Sequence, residues 1–193
     1  MKKITLAVLK SEMHPCSEAR AWWESRGFDN PHQIWDAMCR DHEAETFSWV
    51  CFASDLLSQQ LQAKLIVELF KEHPLPDGKP LSDVLTRDSA KAILAAVTEF
   101  TDGVVPTAAA VKDLLAANEE AENESIGFEG RVCALMRSVC AVLEEDNRGI
   151  FYPIVAISDV LLDLADLPSD GGQRLAGREL LRKRLLNYNP FEA

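Results

Sequence analysis

A chain of 193 residues, 47% of them hydrophobic and 26% charged, can bury a sizeable core without staples and is too apolar for intrinsic disorder. Its formal net charge of -11 excludes general nucleic-acid affinity, which needs clustered Lys and Arg against phosphate. That charge fits a soluble protein or one that meets a basic partner.

Periodicity is helical nearly throughout. A first turn or short helix covers residues 4–10 (ITLAVLK). The apolar stretch behind Lys2 and Lys3 ends by Leu9, too short for a secretory h-region, and no stretch approaches the length of a transmembrane helix. A cytoplasmic protein without membrane association is therefore expected. A second helix runs through SEARAWWESR and stops at Gly27, a residue suited to the left-handed C-terminal position. Asn30-Pro31-His32-Gln33 reads as the next helix start, with Asn30 as N-cap, Pro31 at the first helical position and Gln33 completing a capping box. That helix carries Ile34, Trp35 and Met38 on one side.

A long helix is predicted from Ala44 to Glu72, where Phe47, Val50, Ser54, Leu57, Leu61 and Leu65 form a stripe at spacings of three and four. HPLPDGKP ends it, because two prolines and an Asp-Gly turn cannot continue a helix. Helices follow near 88–101, 107–118 and 126–146, the last burying Val132, Met136, Val139 and Leu143 and closed by Arg148-Gly149. An apolar helix over 151–166 has Pro153 in its first turn. After the loop 167–172, Asp170 and Gln173 form a capping box for a final helix ending near Asn187. The fold class is all-α: about eight helices in a single antiparallel, bundle-like domain over 1–193, with a weak possible subdivision near 74–87.

Three of the four histidines, two of the five cysteines and three of the four tryptophans fall between residues 14 and 42. His14, Cys16, Cys39 and His42 make a formal two-cysteine, two-histidine set of the ligand types that zinc accepts. The spacing is poor for a zinc knuckle, because an H-x-C pair is not a usual half-site. Burial of Cys16 and Cys39 in the helical core is the simpler expectation, since free cysteine is among the most buried residue types, and it fits free thiols in a reducing compartment. Cys16, Cys39 and Cys51 have histidines nearby in sequence without a nucleophile signature. Cys133 and Cys140 lie seven apart on the face that buries Val132 and Met136, and read as core. No P-loop, dinucleotide fingerprint, G-x-S-x-G or H-E-x-x-H is present. No catalytic residue and no cofactor is expected. Trp22 and Trp23 point about 100° apart on their helix; aromatic packing is their simplest role, and an exposed anchor for a partner the sharper one.

Charge is uneven. Residues 101–150 hold four Lys or Arg against ten Asp or Glu, a local net of -6. Glu119, Glu120, Glu122 and Glu124 concentrate it, placed between two predicted helices with their carboxylates in solvent. They are the candidate partner-binding residues. Arg174, Arg178 and Arg182 recur at i, i+4 and i+8 on the final helix beside Lys183 and Arg184, and read as a solvated face that suits the helix dipole.

Cys16-Ser17-Glu18-Ala19-x-x-Trp22, then Trp35-x-x-x-Cys39-Arg40-Asp41, then a helix with Trp49 resembles the N-terminal pattern of small helical bacterial and phage immunity proteins. Those open with a Cys-x-Glu-Ala-x-x-Trp element followed by a Trp, Cys, Arg, Asp-Trp element; here His42 stands where the aromatic after Asp sits. The resemblance covers about residues 4–50 and supplies no catalytic residue. It implies a non-enzymatic inhibitor that neutralises a toxin by contact, with Cys16, Trp22, Trp35 and Cys39 as a recurring packing unit. The partner expected is a basic protein, either a toxin or a nucleic-acid enzyme. The alternative is a phage or prophage accessory inhibitor of a host nucleic-acid-processing complex, and a less favoured one a Cys/His or zinc-dependent enzyme.

Overall fold

The computed structural model describes residues 16–41, 49, 57–72, 78–144, 156–157 and 182–187. The protein is all-α. Six α-helices stand among the described residues: α1 (Ser17–Ser25), α2 (Pro31–Arg40), α3 (Gln59–Glu72), α4 (Asp88–Thr101), α5 (Ala108–Glu124) and α6 (Phe128–Cys140). Leu81–Val84 and Ala141–Leu143 are short 3-10 turns, and residues 182–186 are helical near the C-terminus. Residues 4–10, and most of 151–166 and of the final predicted helix, lie outside the described residues, as do Pro153, Asp170 and Gln173.

Local chemistry sets the first helices. The Cys16 thiol accepts the Ala19 N–H at 3.4 Å and caps α1. Gly27, at φ 68, ends it in the left-handed region that favours glycine. The Asn30 carboxamide accepts the His32 N–H at 2.9 Å, with Pro31 at the first turn of α2, as the sequence predicts. Along α2, Ile34, Trp35, Met38 and Cys39 turn inward.

The long helix predicted from Ala44 to Glu72 is interrupted. Leu57 and Ser58 are non-helical and α3 begins at Gln59. Ser58 supplies the reason: its hydroxyl accepts the Leu61 N–H at 3.4 Å and its carbonyl the Gln62 N–H at 2.9 Å, which is the geometry of a helix start. Leu57 and Leu65 are buried and Leu61 partly so; Phe47, Val50 and Ser54 lie outside the described residues. Ala63, Leu65, Ile66, Leu69 and Phe70 are fully buried, so α3 is covered on more than one side.

Helices α3 to α6 run up, down, up and down. Gln60, at the start of α3, donates to the carbonyls of Phe100 and Thr101 at 3.0 Å and satisfies acceptors that the end of α4 leaves open. Arg87, just before α4, meets Glu124 at the end of α5 and Glu129 at the start of α6, at 3.5 and 3.0 Å. The ends of α3 and α5 therefore lie at the same end of the bundle as the starts of α4 and α6. Ile93 and Val97 of α4 and Val132, Met136, Val139 and Cys140 of α6 fill the interior. One apolar cluster runs from Trp23 to Leu185 and includes Leu81 and Leu85, so the stretch 74–87 adds core residues where it is described.

Two boundaries differ from expectation. α5 continues six residues past 118, to Glu124. The predicted 126–146 helix becomes α6 followed by the 3-10 turn Ala141–Leu143; Arg148 and Gly149 lie outside the described residues. No helix among the described residues is long and apolar enough to cross a membrane.

Candidate functional site

The Cys/His cluster does not assemble as a site among the described residues. Cys16 is exposed and spends its sulfur on capping α1, which corrects the expectation that it faces the core. Cys39 is 5% exposed, inside the apolar cluster. His14 and His42 lie outside the described residues. Within those residues, no three His, Cys, Asp or Glu side chains gather as a metal ion would require.

Among the other thiols, burial raises Cys133 above its ordinary value and pushes Cys140 up to about 11. Both are protonated at neutral pH and are weak nucleophiles there. Cys51 lies outside the described residues.

The tryptophans divide. Trp23 and Trp35 are 4% and 0% exposed. Trp22 is half-buried in an aromatic group, its ring centroid 5.9 Å from Phe28 and 5.7 Å from Trp49. The Arg26 guanidinium lies 4.5 Å from the Trp22 centroid and 3.3 Å from Asp41. Of the four residues that the resemblance groups, Trp35 and Cys39 are buried one turn apart on α2, Trp22 is half-buried against the core, and Cys16 is exposed as the cap of α1.

The acidic run is on a helix and not in a loop. Glu119, Glu120, Glu122 and Glu124 occupy the last two turns of α5. Glu122 meets Arg137 of α6 at 3.3 Å and Glu124 meets Arg87 at 3.5 Å. Side chains lean towards the N-terminus of their own helix, so Glu122 and Arg137, on antiparallel neighbours, lean towards each other. One turn earlier, fully buried Asn118 donates to the Cys133 carbonyl at 2.7 Å. These cross-helix ties carry the helix through a stretch whose like charges suggest a loop. Glu119 and Glu120 are exposed and make no ion pair among the described residues.

This end of the bundle has two further features. Glu129 accepts from the Thr86 hydroxyl at 2.8 Å and from Arg87 through two bonds at 3.0 and 3.2 Å; the Thr86 bond first, and then Arg87, hold its carboxyl below the ordinary 4.5. Ile126, in the turn between α5 and α6, is 91% exposed. Sequence spacing places Ile126 at the start of a helix and gives no sign of this.

The basic residues of the final helix also differ from expectation where they are described. Arg182 is 4% exposed and donates to the Met38 carbonyl at 3.2 Å, at the end of α2 where the helix dipole is negative. Arg184 meets Glu72 at 2.7 Å and Glu68 at 3.8 Å. Of these cations only Lys183 is exposed; Arg174 and Arg178 lie outside the described residues. Among the described residues, Arg182 and Arg184 tie helices together instead of facing solvent, whereas Lys183 is exposed.

No protein-family model matches the chain, and neither a curated protein nor a solved structure is significantly similar to it.

Proposed function

We propose that the protein is a non-enzymatic binding protein of the toxin-immunity type, which engages a basic protein through the acidic end of α5. The observation that supports this most is the pair Glu119 and Glu120, exposed and without an ion pair among the described residues. Like charges one turn apart on a helix, as Glu120 and Glu124 are, repel one another. Arg137 and Arg87 offset this for Glu122 and Glu124, and nothing described offsets it for the other two. A cationic surface docked there would relieve the repulsion and gain steering from the chain's net charge of -11. Ile126 supplies an apolar contact beside the carboxylates. Such a pairing suits a toxin that acts on nucleic acid, whose own surface must be basic to hold an anionic substrate.

The test compares two baits, the wild-type protein and the Glu119→Lys/Glu120→Lys double variant, in capture from the native host followed by mass spectrometry. A small basic protein retained by the first and lost by the second is the expected result. Equal retention of every captured protein by both baits would remove the acidic end from the interface.

A further inference from the structure

We infer that Asn118 is the positioning residue for the acidic end of α5: its buried side-chain bond to α6 fixes where residues 116–124, and with them Glu119 and Glu120, stand. The inward side of α5 changes character along its length. Val111 is buried, and Leu114 and Leu115 pack against the apolar cluster. Beyond them, residues 116–124 hold no apolar side chain larger than alanine, so the tertiary packing that secures most helices is weak there. Asn118 is the one fully buried residue of this stretch.

The contacts that tie this stretch to other parts of the bundle are unequal. The pairs Glu122–Arg137 and Glu124–Arg87 are partly exposed, and water and salt leave such pairs little net strength. Asn118 Nδ2 donates to the Cys133 carbonyl at 2.7 Å, out of water. Its Oδ1 is also buried and has no hydrogen-bond partner, a cost that an apolar packing residue would not carry. The carboxamide is therefore held by its donor side alone. The carbonyl belongs to α6 and can accept this bond beside its helical one, because it has two lone pairs. A helix end secured in this way opens below the free energy of global unfolding once the bond is lost. Glu119 and Glu120 follow Asn118 directly, so its seat on α6 sets their directions; what that means for a partner rests on the binding mode proposed above.

Native-state hydrogen exchange of the full chain, read residue by residue by NMR, tests the assignment without a partner. Its failure would leave the binding mode standing, and a failed capture would leave the assignment standing. Asn118→Asp keeps the shape of the side chain and removes the Nδ2 donor. Near neutral pH, protection of amides 119–124 should fall about tenfold, the contribution of one buried hydrogen bond, while α4 and α6 keep theirs. At a pH low enough to protonate the buried carboxyl, its O–H supplies a donor again, and protection relative to the wild type at the same pH should recover. Asn118→Ala should lose protection at every pH. In the wild type the side-chain amide protons of Asn118 should exchange slowly, a measurement that stands by itself where the variants do not fold. Unchanged protection of 119–124 in the variants, an equal loss throughout α5 and α6, an aspartate variant that does not recover in acid, or freely exchanging Asn118 side-chain protons in the wild type would overturn the assignment.

Discussion

Truncating Trp35 to alanine is expected to destabilise the protein by about 3–5 kcal/mol, the range for removing a large aromatic from a core. Trp35 is 0% exposed, so its removal leaves a cavity, and its indole N–H is the donor to the Leu185 carbonyl, so that acceptor loses its partner as well. In a chain of this length each kcal/mol moves the melting temperature by roughly 2–4 °C. The drop should therefore be plain in a thermal scan. Trp35→Phe keeps most of the ring and loses mainly the hydrogen bond, about 1 kcal/mol. Binding measured below the transition should survive both changes. An unchanged melting temperature with lost binding would instead make Trp35 an interface anchor.

Arg182→Ala should lose roughly 2–3 kcal/mol, because a hydrogen bond from a charged donor contributes about 1.5–3 kcal/mol and the buried aliphatic stem adds packing. Chemical denaturation measures this directly. An arginine on a solvated face would change stability by about 0.5 kcal/mol or less. A value in that range would restore the solvated-face reading and detach the C-terminal segment from α2.

Which features the sequence reveals follows from the range of the forces involved. Asn30-Pro31 at the start of α2 and Gly27 after α1 act on backbone groups two or three residues away, and their signals are local. The stripe Val132, Met136, Val139 is legible because a single face is buried. The break at Leu57-Ser58 is not, since the apolar period runs on through Leu57, Leu61 and Leu65 and a serine beside that stripe announces nothing. The length of α5 is hidden for a similar reason. Its carboxylates repel one another locally, and the arginines that hold two of them stand on other parts of the chain. Arg182 and Arg184 mislead most: their partners lie 144 and 112 residues away, so spacing along their own helix shows only a charged face. Cys16 is misplaced by composition, which counts cysteine as core and overlooks sulfur as a helix cap.

For the acidic end, the four glutamates are legible as a run, but which two remain available is not. Pairing of Glu122 and Glu124 depends on the antiparallel packing of α5 against α6 and on the approach of Arg87. Ile126 is likewise defined only once the turn before Gly127, at φ 64, swings it outward.

The most direct measurement of the proposed mode of binding is the association rate with the captured basic partner, by stopped flow, across a salt series from about 20 mM to about 150 mM, over which the screening length falls severalfold to about 8 Å. If the acidic end steers the encounter, the wild-type rate falls steeply with salt, and Glu119→Lys/Glu120→Lys is slower at low salt with a flatter dependence. A wild-type rate that does not vary with salt, matched by the double variant at every concentration, would contradict binding through these carboxylates.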